Sequence, residues 1–380
     1  MDPSIDLLKT LVAIDSVNPS LVHGGAGEGG IARAIADHMR SIGLDVHVEE
    51  AAHGRPNVVG VLEGRAPGRS LMFCGHVDTV GVEGMADPFG AHERDGRLYG
   101  RGAQDMKGGV AAMIDAARVV GEAGLHGGRL IVAAVADEEF ASVGAGALVR
   151  RWTADAAIVT EPTDLQIGVG HKGFAWLNVE TRGRAAHGSR PAEGRDAILR
   201  MGRVLAALER LDRDLQARPP DPILGTGSLH ASIISGGREL SVYPDSCRLR
   251  LERRILADED GGAALRDVQD ILAALTGIDP EFEAHAALEF WRPAHGLATD
   301  HHLPSAFRAA AASSGIETRF AGLSFWTDAA VLAAAGIPAV IFGPGGAGLH
   351  SVEEYVTIGD VLACRDVLAR FAREWCGSGR

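Results

Sequence analysis

The chain has 380 residues, of which 46% are hydrophobic and 23% are charged, a composition typical of globular proteins. This is longer than the chain length that a single hydrophobic core usually organises, so we expect two domains. The net charge of −13 argues against a nucleic acid as the main partner, because phosphate binding needs a basic patch. An anionic small molecule is still compatible, since a local cluster of arginines can bind it.

The cysteines and the N-terminal sequence favour a reduced, cytoplasmic setting. The four cysteines are scattered and form no Cys-x-x-Cys pair, and we expect Cys74 and Cys247 to be buried. The first residues lack the basic start and continuous apolar core of a signal peptide. No stretch approaches the roughly 18 uncharged apolar residues that cross a membrane. We therefore expect a soluble cytoplasmic protein.

Helical and strand patterns alternate in the first part of the chain. Apolar residues at helical spacing predict helices over 5–14, 30–44 and 108–123. Short apolar runs predict strands over 58–62, 71–74, 130–136 and 156–160. The last two runs are uninterrupted, as is typical of strands covered on both faces. The alternation predicts an α/β fold with a mainly parallel central sheet.

The pattern changes near residue 174, where polar and apolar residues begin to alternate. From 175 to 288 the predicted order is strand, helix, strand, strand, helix, strand, which is the ferredoxin-like arrangement. After this region the mainly apolar pattern of the first part resumes. It predicts a helix over 304–314, a strand over 339–342 and a last helix ending near 375. We predict one larger α/β domain, 1–174 and 289–380, interrupted by a ferredoxin-like α+β domain, 175–288.

His76 and Asp78 end a strand-like apolar run that begins at Ser70. Residues two apart on a strand point to the same face, so these two side chains are expected to lie side by side. One of them could bind a metal ion while the other orients that ligand side chain. This dipeptide is a weak signal when it stands alone.

Further acidic residues and a histidine follow other buried strands. Glu138 and Glu139 come after the strand 130–136, Glu161 ends the strand 156–160, and His350 follows the last predicted strand. Open α/β sheets bind ligands at the carboxyl ends of their strands. A carboxylate next to a buried strand is costly if it has no partner, so we expect each of these to be paired. Adjacent carboxylates point in different directions, so one of the pair can bind metal while the other transfers a proton.

Asp105 lies in the glycine-rich segment 100–109, which opens a helix. It could be a helix N-cap, or a carboxylate that bridges two cations. The segment matches neither the P-loop nor the dinucleotide-binding fingerprint. Two histidines and three carboxylates suit zinc or a similar divalent ion, and a shared aspartate would make the site binuclear. Such a metal pair activates water and polarises a carbonyl.

These motifs together resemble the M20 family of metallopeptidases and deacylases. The resemblance covers almost the whole chain and is carried by 16–19, 75–80, 100–109, 137–139, 160–163, 171–173, 184–187, 243–245, 325–328 and 350–355. It implies a Zn-peptidase-like α/β catalytic domain with an inserted lid and dimerisation domain. It also implies two bound divalent ions, with zinc as the expected metal and cobalt or manganese as alternatives, and a homodimer.

The resemblance also implies a set of metal ligands. Asp105 would bridge the two ions, His76 and Glu161 would complete one site, and Glu139 and His350 the other. A cis peptide bond is expected directly after Asp105.

Three residues receive catalytic roles from the same resemblance. Glu138 would be the general base, and Asp78 would orient His76. His187, in the inserted domain, would reach the active site of the partner subunit and stabilise the oxyanion.

The residues that would bind substrate lie mainly in the inserted domain. Arg254 matches the arginine that binds the substrate carboxylate, with Arg253 as a rival, because an arginine fork suits a planar carboxylate. Thr327 is also expected to bind substrate. Ser241 stands where family members often carry asparagine, and a shorter donor there would alter the fit of the acyl group.

We predict a metal-dependent amidohydrolase that cleaves the amide bond of an N-acyl amino acid. Segments 161–166 and 171–173 are more similar to acetylornithine deacetylase than to succinyl-diaminopimelate desuccinylase. An M20 carboxypeptidase or dipeptidase and a desuccinylase-type enzyme are the alternatives. A single-domain aminopeptidase would lack the inserted domain, and a catalytically silent binding protein should have lost a ligand or the base.

Overall fold

The computed structural model describes residues 2–257 and 259–377. The chain divides into two compact units. The first unit runs up to Val169 and also contains Leu297–Ala321 and the residues from Thr327 onward. The second unit comprises Gly170–Gly296 and Gly322–Trp326, so it extends a few residues beyond the predicted 175–288 at both ends.

The helices and strands are as follows. Residues 3–171 form α1 (Pro3–Val12), α2 (Gly29–Ser41), β1 (Asp45–Ala52), β2 (Arg55–Glu63), β3 (Ser70–His76), β4 (His92–Arg94), β5 (Arg97–Tyr99), α3 (Gly108–Ala123), β6 (Arg129–Val135), α4 (Val143–Arg151), β7 (Ala156–Val159) and β8 (Ile167–His171). A π-helical turn, Ala103–Lys107, precedes α3. The inserted segment contains β9 (Gly173–Arg182), α5 (Ala197–Gln216), β10 (Ser228–Gly236), β11 (Ser246–Ile255), α6 (Gly261–Ile278), β12 (Glu283–Arg292) and β13 (His295–Gly296). The chain continues with α7 (His302–Ser313), β14 (Phe320–Leu323), α8 (Ala329–Ala334), β15 (Ala339–Ile341), β16 (Gly346–Ala347), β17 (Tyr355–Thr357) and α9 (Ile358–Gly377).

The large sheet has the strand order β1-β2-β6-β3-β7-β15-β8-β13. Its four central strands, β6, β3, β7 and β15, are parallel, and the outer pairs are antiparallel. The mainly parallel sheet predicted from the sequence is confirmed. Strands β3, β6 and β7 are almost entirely buried, which is why their sequences are uninterrupted apolar runs.

Aspartate side chains fix the starts of several helices. The Asp2 side chain accepts a hydrogen bond from the backbone N–H of Ser4, and Pro3 occupies the first helical position. Helix α1 therefore begins two residues before the predicted position 5. Asp196 and Asp260 cap α5 and α6 in the same way.

The second unit has a four-stranded antiparallel sheet with the order β10-β11-β9-β12. With its two helices this is the ferredoxin-like arrangement predicted from the sequence. The core lies between the sheet and the helices and contains Leu177, Leu251, Val204 and Leu272. Strand β10 is an edge strand, and most of its residues are exposed.

A small third sheet, with the order β16-β17-β5-β4, was not predicted. Its strands have only two or three residues each, too few to show a periodic pattern. In the pairing of β17 with β5, Tyr355 lies opposite Tyr99. This pairing brings the segment after His350 beside the glycine-rich segment that contains Asp105.

Among the helices of residues 2–257 and 259–377, none combines the length and the apolar character needed to cross a bilayer. All four cysteines are buried as free thiols, which confirms the expected burial of Cys74 and Cys247.

Candidate metal centre

The carboxyl ends of three parallel strands bring the candidate ligands together. His76 ends β3 and lies opposite Val135 of β6, and Cys74 lies opposite Val159 of β7. Since parallel strands end at one edge of the sheet, the residues after each strand meet there. His76 Nε2 is 3.1 Å from Asp105 Oδ1 and 3.8 Å from Glu161 Oε1.

The second carboxylate oxygen of Asp105 faces the other histidine. His350 Nε2 is 3.3 Å from Asp105 Oδ2 and 3.2 Å from Glu139 Oε2. Asp105 therefore lies between two groups, each with one histidine and one further carboxylate. The peptide bond that joins Asp105 to Met106 is cis, as expected from the resemblance.

Potential ligand atoms in this cluster lie close enough to share a cation. One set contains His76, Asp105 and Glu139, and a second contains His76, Glu138 and Glu161, with the ligand atoms of each set within 4.8 Å of one another. Imidazole nitrogen and carboxylate oxygen are the donors that zinc and similar divalent ions bind. The donor set of this structure therefore fits a pair of divalent ions.

The electrostatics of the cluster point in the same direction. Burial lowers the pKa of His76, but Glu161 and Asp105 outweigh it and hold that pKa well above its ordinary value. Hydrogen bonds to Asp105 and Glu139 raise the pKa of His350 to about 10. Both shifts reflect the negative charge concentrated around the two rings, which a divalent cation would offset while displacing ring protons.

Glu161 is buried beside this cluster, and Glu138 is half-buried. Burial is the largest cause that raises the pKa of Glu138 well above its ordinary value, and His76 opposes it. The pKa of Glu161 is raised for the same reason. The nearby negative charge of Asp328 adds to both shifts. A carboxylate with a raised pKa is suited to accept a proton near neutral pH.

The tautomer of His76 is fixed by the backbone of Asp78. His76 Nδ1 donates to the Asp78 carbonyl oxygen at 3.0 Å, while the Asp78 carboxylate lies 3.6 Å from the same nitrogen. With its proton on Nδ1, the neutral ring presents the lone pair of Nε2 toward Asp105 and Glu161.

The carboxylate of Asp78 has a second set of partners that sequence reasoning missed. Its oxygens accept hydrogen bonds from the backbone N–H groups of Glu138 and Glu139, at 3.1 and 3.2 Å. Asn18 Nδ2 donates to Asp78 Oδ2 at 2.7 Å. One buried carboxylate therefore holds the backbone that carries both adjacent glutamates.

A buried chain of polar groups extends from this point. Asn18 Nδ2 also donates to Asp137, whose Oδ1 accepts from Arg55 Nη2 at 2.8 Å. Arg55 is paired in turn with both carboxylate oxygens of Glu28. Asn18 lies in the motif 16–19 of the resemblance, but nothing in the sequence indicates that Arg55 or Glu28 approaches the site.

Thr327 and Asp328 are also buried in the first unit. Thr327 Oγ1 accepts from the backbone N–H of Ala329 at the start of α8. Asp328 received no role from the sequence, although it belongs to the motif 325–328. Its negative charge raises the pKa of Glu138 and of Glu161.

Glycine allows two parts of the site to approach closely. A side chain at Gly109, in the first turn of α3, would overlap the carbonyl oxygen of Thr160. This contact holds the helix that follows Asp105 against the strand end that carries Glu161.

The remaining sequence candidates lie in the second unit. His187 is exposed, and its Nδ1 accepts from the backbone N–H of Ser189 at 3.2 Å, which puts the proton of the neutral ring on Nε2. The Ser241 carbonyl oxygen accepts from the backbone N–H of Gly188 at 2.8 Å, so Ser241 lies beside His187.

The two candidate arginines have different surroundings. Arg253 is 1% exposed, and its guanidinium pairs with Glu259 and Asp267. Arg254 is partly exposed, donates to Glu252 at 2.7 Å and lies over the ring of Phe174.

The sequence pattern that defines peptidase family M20/M25/M40 matches residues 72–374. The chain belongs to this family. Acetylornithine deacetylase of Myxococcus xanthus is 34% identical, with 87% of each chain covered. N-formyl-4-amino-5-aminomethyl-2-methylpyrimidine deformylase of Bacillus subtilis is 29% identical, covering 98% of this chain and 94% of the deformylase. The fold is similar to that of a dinuclear metal-binding M20 peptidase of Bacillus subtilis, with a TM-score of 0.75, 17% identity and 98% coverage of both chains.

Membership in the M20 family confirms the resemblance stated from the sequence motifs. It also confirms the fold class and the assignment of the chain as a hydrolase of amide bonds. The relatives are named for different amides, so membership in the family does not determine the substrate of this M20 hydrolase.

Proposed function

We propose that this M20 hydrolase is a binuclear, zinc-dependent amidohydrolase that removes the acyl group from an N-acyl amino acid in the cytoplasm. The observation that carries the proposal is the position of Asp105. Its two carboxylate oxygens face two different histidines, and a further carboxylate lies beside each histidine. The four buried free thiols are compatible with a reducing compartment.

Each ion would be held by residues that already face one another. His76 and Glu161 would hold one ion, Glu139 and His350 the other, and Asp105 would bridge them. When bound, such ions polarise the scissile carbonyl and lower the pKa of a water molecule. Cobalt and manganese bind similar donor sets, so they are the alternatives to zinc.

Glu138 is proposed as the general base that takes a proton from the attacking water and returns it to the leaving amine. It is half-buried, with its carboxylate close to His76 and Glu161. Its backbone N–H is held by Asp78, which limits the positions its carboxylate can take. Burial raises the pKa of its carboxyl group, which favours both uptake and return of the proton.

The carboxylate of the amino-acid substrate is proposed to bind Arg254. Arg253 is enclosed by Glu259 and Asp267, so its guanidinium is already neutralised. Arg254 is more exposed and lies against Phe174, which leaves a planar, partly accessible guanidinium. Ser241 and Thr327 are proposed to contribute to substrate binding as well. An N-acetylated amino acid is favoured because acetylornithine deacetylase is the named relative with 34% identity.

Metal removal tests this proposal. A chelator is expected to abolish hydrolysis of N-acetyl amino acids, and about two equivalents of Zn²⁺ or Co²⁺ per chain should restore it, because two donor groups flank Asp105. The measurement is the initial rate on a panel of N-acetyl and N-succinyl amino acids, dipeptides and an N-formyl aminomethylpyrimidine. Full activity after complete metal removal would refute the mechanism. A preference for dipeptides or for the formyl compound would keep the mechanism and replace the proposed substrate.

We also propose a homodimer that pairs through the second unit. The edge strand β10 carries Ile233 and Ile234, which are 55% and 52% exposed, and Leu240 beyond it is fully exposed. An exposed apolar edge strand is a template for pairing with a second copy of the same strand. His187 is exposed in the same unit, and its neutral ring carries the proton on Nε2, as needed to donate to an oxyanion.

Mixed dimers test the action of His187 on the partner subunit. His187→Ala is expected to lower kcat by about 10²- to 10³-fold, the usual effect of losing one oxyanion donor, with the metal content unchanged. Mixed dimers of His187→Ala and Glu138→Ala chains should recover activity at one of their two sites. Rates are compared between mixed and unmixed samples. No recovery in mixtures shown to contain heterodimers would refute action in trans.

A further inference from the structure

Glu354 is a buried carboxylate, 1% exposed, that accepts four hydrogen bonds from one short segment. Oε1 accepts from the backbone N–H groups of Gln104 and Asp105, at 2.9 and 3.1 Å. Oε2 accepts from the backbone N–H of Gly102 at 3.0 Å and from Arg101 Nη1 at 2.6 Å. The acceptor positions of both oxygens are thus used to hold the loop that ends at Asp105.

The guanidinium of Arg101 joins this carboxylate to two other segments. Arg101 Nη2 donates to the Ser351 carbonyl oxygen at 2.9 Å, directly after His350. Arg101 Nε donates to the Gly81 carbonyl oxygen at 3.0 Å, on the segment that leaves β3 after His76. Arg101 is 3% exposed, so these bonds form away from water and are difficult to replace.

From these contacts we propose that Glu354 and Arg101 are positioning residues that set Asp105 and His350 at the distance required to share a metal ion. The inference rests on the metal centre proposed above, because it gives that centre its alignment. Neither side chain is among the proposed ligands. Glu354 acts on Asp105 through the backbone, and Arg101 ties the carbonyl group next to His350 to the same carboxylate.

The two proposed ions depend on this pair to different extents. The ion held by Glu139 and His350 uses two ligands, Asp105 and His350, whose segments the pair joins. The ion held by His76 and Glu161 uses only Asp105 among them, since His76 is fixed by its own strand and by Asp78. Loss of the pair is therefore expected to weaken the first of these ions more than the second.

The substitution Glu354→Gln is a sharp test because it preserves size and removes one acceptor. Whichever way the amide is oriented, its NH₂ group would face two N–H donors and lose both hydrogen bonds. Changes in groups that orient metal ligands typically weaken metal binding about 10- to 100-fold.

The experiment is a titration of metal-free protein with Co²⁺, followed by the visible absorption of the bound ion and by equilibrium dialysis. At a Co²⁺ concentration that gives two ions per chain in the unsubstituted protein, Glu354→Gln is expected to hold one. The affinity for the second ion should fall about 10- to 100-fold. Arg101→Lys, which keeps the charge but loses the forked contacts, should weaken the same ion.

Two control variants separate alignment from charge and from general stability. Glu353→Gln removes an equal charge from the neighbouring exposed residue and should bind both ions normally. Asp115→Asn removes a buried carboxylate that pairs with Arg118 and Ser4, away from the proposed ligands, and should also bind both ions. Far-UV circular dichroism establishes that each variant is folded.

The outcomes are distinguishable. If the unsubstituted protein takes up no divalent ion, the proposed function fails together with this inference. If it binds two ions and Glu354→Gln binds both with unchanged affinity and absorption, only the positioning role is refuted. If Glu354→Gln does not fold, Arg101→Lys decides, and unchanged affinity in that variant refutes the role. Equal weakening in Asp115→Asn would also refute it, because the effect would then be one of general stability.

Discussion

Replacement of Glu138 with glutamine is expected to lower kcat about 10²- to 10⁴-fold, the usual contribution of a general acid–base group. Glutamine has nearly the same shape, but it cannot accept a proton from water or return one to the leaving amine. Because the Glu138 backbone is held through its N–H by Asp78, the substitution should leave the loop in place. Steady-state rates and bound metal, measured on the same preparation, check this result.

Glu139→Gln is the matched comparison for this variant. The two glutamates are adjacent and both bond to Asp78 through the backbone, but the Glu139 carboxylate faces His350. Glu138→Gln should keep two ions and lose turnover, whereas Glu139→Gln should lose one ion first. Near-normal kcat in Glu138→Gln would remove this residue from the mechanism.

Asp105→Asn is expected to weaken both ions and to leave almost no activity. A carboxylate offers an oxygen to each side, and its oxygens now face His76 and His350. An amide offers only one oxygen, so it cannot bridge two cations. The loss of affinity should exceed the roughly 100-fold limit typical of residues that act only through a ligand.

Metal content after dialysis and Co²⁺ titration measure the effect of Asp105→Asn. Asp115→Asn, on the helix that follows Asp105, is its control and should retain both ions. Two ions bound with unchanged affinity in Asp105→Asn would show that this residue is not the bridge.

The part of the site that the sequence predicts consists of residues at strand ends. The period of two in a strand placed His76 and Asp78 together, and the uninterrupted run before Glu138 predicted a buried parallel strand. Parallel strands end at one edge, so the convergence of Glu161 with these residues followed from the fold class. The four-stranded sheet of the inserted segment followed from the order of its strands and helices.

Contacts between distant loops could not be predicted in this way. Arg55 approaches Asp137 because their strands carry them there, yet neither lies in a periodic pattern that points to the other. Glu354 belongs to a pair of adjacent glutamates on a short loop, a pattern more typical of exposed side chains. Only the pairing of two three-residue strands, too short to leave a sequence signal, brings it under the glycine-rich loop.

The choice between Arg253 and Arg254 shows a similar limit. Alternation along a strand places the two side chains on opposite faces, but the sequence does not state which face is covered by helices. In the structure, Arg253 lies on the covered face with Glu259 and Asp267. These acidic partners lie in the loop and the helix that follow the strand. Which strand residue they face is set by tertiary packing, and the strand pattern alone does not reveal it.

The bond between Glu354 and the Asp105 loop has a consequence for biosynthesis. The carboxylate is 249 residues downstream of the backbone N–H of Asp105 that it accepts from, and the whole inserted segment lies between them. His350 emerges from the ribosome at almost the same time as Glu354. A nascent chain therefore cannot assemble the proposed metal pair until the whole inserted segment and the loop that carries His350 have been translated. Metal loading would then follow translation of the inserted segment.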